Sequence, residues 1–382
     1  MKPTSYAPEA TNLRAAAYTS AEFFQAEMRH IHLRHWFFAG RADELGAIGD
    51  FRAIDTVAGP VILVRDLRGE PRAYANCCRH RGSLLLTGSG SRRVIVCPYH
   101  GWAYRLDGSL AAAPDMEKTP GFRPDEHGLI PLRLETSQGF IFLALDPAAP
   151  ALLSHLGNLP AVFASHRLDE MVCTWRIELD AQCNWKLLIE NAMETYHTGY
   201  IHAQTVGAQT SVDIETSGEW ECIQVLSEQT VAVLGDAPPP FPAITDLDQE
   251  AQRGTYFSLI FPSTQFAVAQ DSLWWLNVRP LAPDRSVLSI GGCFPRSIAG
   301  RPDFEEKAAA YYDRWRRVAE EDVAMLENQQ RGLSSLLHRP GPLSWRETKV
   351  HRIHEWVLNQ LPAPARASIL GEPPALTPSS SP

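Results

Sequence analysis

The chain has 382 residues, more than a single domain usually holds, so two domains are expected. Apolar residues at 45% and charged residues at 21% describe a globular protein with a sizeable core, and a net charge of −9 argues against broad nucleic-acid binding, which needs a basic surface. No apolar run nears the ~18 residues of a membrane span, and the first residues lack the apolar stretch of a secretory signal, so a cytoplasmic location is expected.

Residues 1–50 read as an N-terminal arm and helix. Ser20 is placed to cap a helix on which Phe23, Phe24, Met28 and Ile31 share a face. His30, His32 and His35 cluster there without an acidic or thiol partner and read as surface or packing residues.

From about 51 to 150, short β-type runs alternate with Gly and Pro, as in a small antiparallel sandwich. Two loops at strand tips carry the first chemistry: Cys78 with His80 and, sixteen residues on, Cys97 with His100. One thiolate and one imidazole per loop suit iron or zinc. A structural zinc site could use the same four ligands, but zinc fingers usually pair Cys with Cys and His with His. In a Rieske [2Fe–2S] centre two Cys hold one iron and two His the other. Gly82, Pro98 and Gly101 add turn chemistry beside the ligands, and the cluster is the expected occupant. Of the seven cysteines, Cys77, Cys173, Cys183, Cys222 and Cys293 are expected to be small buried hydrophobes rather than a disulfide framework.

Residues 151–360 mix strands and helices. Runs at 171–182, 255–270, 273–281 and 285–294 read as strands of one antiparallel sheet, with helices at about 184–198 and 303–333, an α+β layout. The Pro-rich stretch 237–242 is a loop, and the tail 361–382 is expected to be disordered. On a helix over 184–198, Glu190, Glu194 and His197 share a face, while His202 lies about 140° from His197 unless Gly199 ends or distorts the helix. Two His and one carboxylate form the facial triad of non-haem Fe(II) oxygenases; a surface helix with scattered charges is the plainer alternative. On the 303–333 helix, with Phe304 as zero, Ala308, Tyr311, Trp315, Val318, Met325 and Leu326 fall within about 60° of it, an apolar stripe expected to be buried. Asp322 lands at its centre, whereas Glu305, Glu306, Asp313, Glu320, Glu321 and Glu327 fall on the solvated side. A carboxylate on an apolar face is costly unless it binds metal or pairs with an Arg, and Asp322 is assigned as the third ligand. Asp303 and Glu306 are expected to form a capping box.

With these residues in hand, the chain resembles the catalytic (α) subunits of Rieske non-haem iron oxygenases over nearly its whole length. The resemblance implies an all-β Rieske domain after an N-terminal helix, then a helix-grip (START-like) catalytic domain with an antiparallel sheet, and a head-to-tail homotrimer. It implies one [2Fe–2S] cluster per subunit on Cys78, His80, Cys97 and His100, and one mononuclear Fe(II) on His197, His202 and Asp322. Glu194 stands where the family commonly has the Asp that links a cluster His of one subunit to an iron His of its neighbour; Glu occurs there in carnitine-type monooxygenases. Asn191 matches a polar residue near the iron.

The implied reaction draws electrons from a ferredoxin or flavin reductase, with O₂ and a small organic substrate as the other partners. The substrate is expected to be aromatic. Quaternary-amine monooxygenation is the alternative, and a Rieske electron carrier without an oxygenase site is a remoter one, needing only about the first 150 residues. Met193, Phe261, Trp274 and Trp275 are candidates to line an apolar pocket, each with ordinary core as the competing reading. The loop at 236–248 is read either as a lid or as an inert surface excursion.

Overall fold

The computed structural model describes residues 10–235 and 238–370. Ser20 caps its helix: its Oγ accepts the Phe23 N–H at 3.2 Å. Helix Ala21–Glu27 runs into one π-helical turn, Met28–His32, and buries Phe23, Phe24 and Ile31. The first strand, Phe37–Arg41, lies ahead of the boundary expected at 51. It pairs antiparallel with Phe140–Ala144, which pairs in turn with Arg133–Ser137.

A four-stranded sheet orders Pro71–Ala75, Gly59–Arg65, Asp50–Thr56 and Ser89–Ser91, and a three-stranded one orders Ile95–Val96, Ala103–Tyr104 and Leu110–Ala112. Strand Gly59–Arg65 is a continuous apolar run because both its faces are covered. Ile62 and Val64 join Cys78, Cys97, Trp102 and Tyr104, whereas Val61 and Leu63 pack with Phe37, Ile141 and Leu143.

Beyond it, seven antiparallel strands form one sheet in the order Met171–Ala181, Arg285–Pro295, Leu273–Ala282, Thr264–Val268, Gly254–Ile260, Trp220–Leu226 and Ser211–Asp213. Helices Trp185–Asn191, Phe304–Leu333 and Thr348–Gln360 share a core with one face of that sheet. The other face packs on Trp36, Phe38, Phe140 and Phe142. Adjacent Trp274 and Trp275 therefore point into different cores. Two glycines on the neighbouring strand make room for aromatic rings: a Cβ on Gly291 would stand 2.1 Å from the Trp275 ring, and one on Gly292 2.1 Å from the Trp315 ring. The architecture is α+β, an N-terminal β domain followed by a domain built on one antiparallel sheet. No helix among the described residues is long and apolar enough to cross a membrane.

Four local expectations are corrected. Met325 is 42% exposed and lines a cleft with Tyr196 and Tyr200, although its neighbours on the wheel, Trp315 and Leu326, are buried. Asp303 makes no capping hydrogen bond, because Arg301 and Lys307 hold its carboxylate at 2.9 and 2.8 Å. Inside the tail, Ala363–Leu370 is helical, with Pro364 in the first turn, where a missing N–H is tolerated; residues 371–382 lie outside the described residues. The expected helix over 184–198 stops at Asn191. Of the 236–248 loop, residues 236 and 237 lie outside the described residues. The rest holds no helix or strand and is anchored by buried Phe241, stacked on Phe304 and Tyr311.

Candidate metal centres and the adjoining cavity

The two Cys–His loops are built alike. In the first, the Cys78 N–H donates to Ser83 O at 2.8 Å and the Gly82 N–H to Cys78 O at 2.9 Å. In the second, the Cys97 N–H donates to Trp102 O at 2.7 Å and the Gly101 N–H to Cys97 O at 3.1 Å. Gly82 and Gly101 take φ of 75° and 71°, a conformation that strains other residues. The thiols lie inside, 3% and 2% exposed, and the imidazoles outside, with ring centroids 4.7 Å apart. His80 stacks on buried Trp102 at 5.1 Å. The Tyr104 hydroxyl lies 3.2 Å from the Cys78 sulfur. Burial works against the Cys97 thiolate, but the N–H groups of Tyr99 and His100 hold the thiol below its ordinary pKa. A pair of inner thiolates and a pair of outer imidazoles fits two irons bridged by sulfide. A single zinc would need all four donors round one point, and among the described residues the only donors gathered for one ion are those of His197, His202 and Asp322.

That second group forms by a different local route than helical spacing predicts. Helix Trp185–Asn191, N-capped by Asn184, ends before Glu194. The Glu194 carboxylate then folds the chain just ahead of a single new turn, Thr198–Ile201, by accepting the N–H groups of Tyr196 and His197, the latter at 3.2 Å. His197 sits just before this turn and His202 just after it, which brings the imidazoles together with centroids 5.2 Å apart. Gly199 does not break the helix; it lies within the turn, where a Cβ would press on Ala208 at 3.2 Å. Glu190 is excluded from the group: its carboxylate takes the Tyr18 hydroxyl at 2.9 Å and His354 at 3.2 Å.

The donor atoms of His197, His202 and Asp322 lie within 4.8 Å of one another. Asp322 Oδ1 stands 3.0 Å from His202 Nε2 and 3.7 Å from His197 Nε2. Neighbouring ligands each ~2.1 Å from a metal are about 3 Å apart, so the set fits one ion. Each ring presents Nε2 because a carboxylate takes its Nδ1: Glu194 at 2.5 Å for His197 and Glu321 at 2.7 Å for His202. Asn191 Nδ2 donates to Asp322 Oδ1 at 3.0 Å. Burial opposes protonation of His202, yet Asp322 and Glu321 on its two nitrogens hold its pKa above the ordinary value, a position a cation could take.

Glu321 was not expected in the site. On a wheel it belongs with solvent, but its carboxylate also accepts the Thr205 hydroxyl at 2.9 Å, and the pairing of Glu321 with Asp322 was the available signal.

Beside the three donors lies a cavity of about 80 Å³ lined mainly by apolar side chains, among them Ile223, Phe257, Trp274, Leu276 and Val318. Of the four candidate pocket residues only Trp274 lines it. Met193 and Phe261 are core, Trp275 faces the other side of the sheet, and none of the described residues of the 236–248 loop reaches the lining. Arg314, unremarked in the sequence, does line it.

Residues 168–363 match the model of the ring hydroxylating alpha subunit catalytic domain, and residues 35–123 match that of the Rieske [2Fe-2S] domain. The chain is 27% identical to the glycine betaine monooxygenase oxygenase subunit of Chromohalobacter salexigens over 361 residues, covering 86% of this chain and 80% of that protein. It is 33% identical to the carnitine monooxygenase oxygenase subunit of Escherichia coli K12 over 210 residues, 54% of this chain and 55% of the relative. The crystal structure of a quaternary ammonium Rieske monooxygenase superposes with a TM-score of 0.80 at 23% identity, covering 93% of this chain and 96% of that one.

Proposed function

The chain belongs to the family of ring-hydroxylating Rieske oxygenase α subunits, and from that premise we propose that it is a monooxygenase of small quaternary amines. A Rieske [2Fe–2S] cluster and a mononuclear iron are the family's cofactors, and together they supply one-electron transfer and O₂ activation. In this reading Cys78 and Cys97 hold one cluster iron, His80 and His100 the other, and His197, His202 and Asp322 hold the mononuclear iron. Glu194 and Glu321 keep each imidazole's proton on Nδ1, and Asn191 orients Asp322. The apolar cavity holds the substrate and excludes water.

Two observations favour an amine over the aromatic substrate expected from sequence. The relatives above are monooxygenases of glycine betaine and carnitine. The carboxylates of Glu194, Glu321 and Asp322 also leave one net negative charge round a bound dication, which suits a cationic group nearby. An electron carrier would need no domain over 168–363, and that reading falls away.

Electron delivery in this reading crosses between subunits of a head-to-tail homotrimer. On the outer side of His197 and Asp322 lies a second cleft lined by Glu194, Tyr196, Tyr200 and Met325. Tyr200 is 80% exposed there, and Tyr99 is 57% exposed beside His100 at the tip of the β domain. The observation that carries the whole reading is the convergence of His197, His202 and Asp322 beside the apolar cavity. The test is O₂ consumption with a surrogate reductase against quaternary amines, aromatic acids and N- or O-methyl aromatics, alongside iron analysis. Three irons per chain and amine-dependent uptake are expected; uptake driven only by the aromatic compounds would overturn the substrate class.

A further inference from the structure

We propose that Arg314 is the substrate's carboxylate anchor, so that this enzyme takes zwitterionic amino acids of the betaine kind and rejects amines that end in an uncharged group. The inference rests on the cavity being the substrate site, as above.

Arg314 is 4% exposed and lines the cavity from the long helix. Its guanidinium packs over the Trp274 ring at 4.8 Å, yet its Nε has no hydrogen-bond partner and it forms no ion pair among the described residues. Burial pulls its pKa down to about 10, against a pull upward from Asp322 and Glu321, so it remains charged at neutral pH. The contrast with other buried cations is sharp: Lys186 meets Glu27 at 2.6 Å, Arg41 meets Asp43 at 2.6 Å, and Lys349 meets Glu221 at 2.5 Å. A buried cation without a counter-charge is costly, and a guanidinium fork is suited to bidentate binding of a carboxylate. Beside it, the buried Trp315 Nε1–H is a second donor without a partner.

Position sets the ligand's polarity. Arg314 and Asp322 are eight residues apart on one helix, about 12 Å along its axis and about 80° round it. The cavity is thus positive at the Arg314 end and carboxylate-rich at the His197–His202–Asp322 end. A zwitterion fits with its carboxylate on Arg314 and its ammonium toward the three donors, with the carbons attached to nitrogen nearest them. A simple cation such as an amino alcohol gains nothing at the first end, and Arg314 already covers the Trp274 face on which a quaternary ammonium could otherwise stack.

The test is calorimetric binding to the anaerobic holoenzyme of matched pairs, each an acid and its methyl ester, drawn from quaternary amines and from aromatic compounds. The wild type should bind the acid of the amine pairs about 10- to 100-fold more tightly than the ester, the range for a charged hydrogen bond. Arg314→Gln should erase that preference, and Arg314→Lys, which keeps the charge without the fork, should retain part of it. No preference in the wild type, or an undiminished one in Arg314→Gln, would overturn the anchor while leaving the amine reading intact. A preference confined to the aromatic pairs and erased in Arg314→Gln would uphold the anchor and overturn the amine reading instead.

Discussion

Glu194 and Glu321 perform the same hydrogen-bonding task on different imidazoles, and their surroundings separate their roles. Glu321 is tied to His202 and Thr205, while Glu194 touches both the inner cavity and the outer cleft. Removing a partner of a metal-bound His typically lowers metal affinity ~10- to 100-fold. Glu321→Ala should therefore weaken mononuclear iron binding by that factor, read by chelator competition, with the cluster's visible spectrum unchanged; wild-type iron retention would argue against its role. Glu194→Gln can still accept the Nδ1 proton, so iron should stay, but the charge facing the cleft is lost. In single-turnover stopped flow with the cluster reduced beforehand, cluster reoxidation should slow by at least tenfold. Reoxidation at the wild-type rate would leave Glu194 as a local structural residue and nothing more. Both residues carry short-range information that one sequence holds only in part. Glu194 was found by its neighbours His197 and His202, but Glu321 looked like any solvated acid because the partner that recruits it is 119 residues away.

At the scale of elements, the long helix supplies both ends of the cavity, and its fit to the sheet depends on one missing Cβ. Trp315 packs against Gly292, stacks on Trp274 at 5.6 Å, and lines the cavity. Gly292→Ala forces that ring to move, since 2.1 Å is far inside contact distance. Overpacking of this kind costs about 1–3 kcal/mol, visible as a lower denaturation midpoint. The displaced ring should also raise KM more than it lowers kcat, and wild-type values for both KM and stability would show the packing to be slack. Helical periodicity set Asp322 on the cavity-lining face because the helix is regular over Phe304–Leu333. The same periodicity misled over 184–198, where Glu194 spends its carboxylate on two backbone N–H groups and starts a new turn.

At the scale of the whole molecule, burial of three histidines sets an acid limit. His32, His155 and His166 are each at most 2% exposed. Burial, the main cause in each, takes their pKa from an ordinary 6.5 to about 3 for His32 and about 4 for His155 and His166. Below pH 6.5 the unfolded chain binds protons that the folded chain refuses, so the stability present at neutral pH is lost as pH falls toward 4. At about 1.4 kcal/mol per pH unit for each group, the three together remove on the order of 6 kcal/mol between pH 6.5 and 5. Buried acids with raised pKa, Glu27 and Asp271, return part of it. Urea midpoints at pH 7, 6 and 5 should fall steeply, and less steeply in His166→Gln, whose wild-type ring nitrogens have no partners to lose. A flat profile would contradict the assignment.

What the sequence determined by itself is whatever depends on close spacing or regular period. The loops bearing Cys78, His80, Cys97 and His100, the alternating strands of the second domain and the register of Asp322 on its helix are of this kind. Ligand geometry and backbone periodicity are local, and one chain states them fully. What only the tertiary structure decided depends on which distant groups meet when surfaces are buried. The pairing of Glu27 with Lys186, the capture of Glu190 by Tyr18 and His354, and the recruitment of Glu321 by His202 are ion pairs and hydrogen bonds across more than a hundred residues. Arg314 belongs with them in reverse. Nothing in its neighbours on the helix says that folding would bury it and leave it without a carboxylate of its own, because a missing partner, like a distant one, is decided only when the surfaces close.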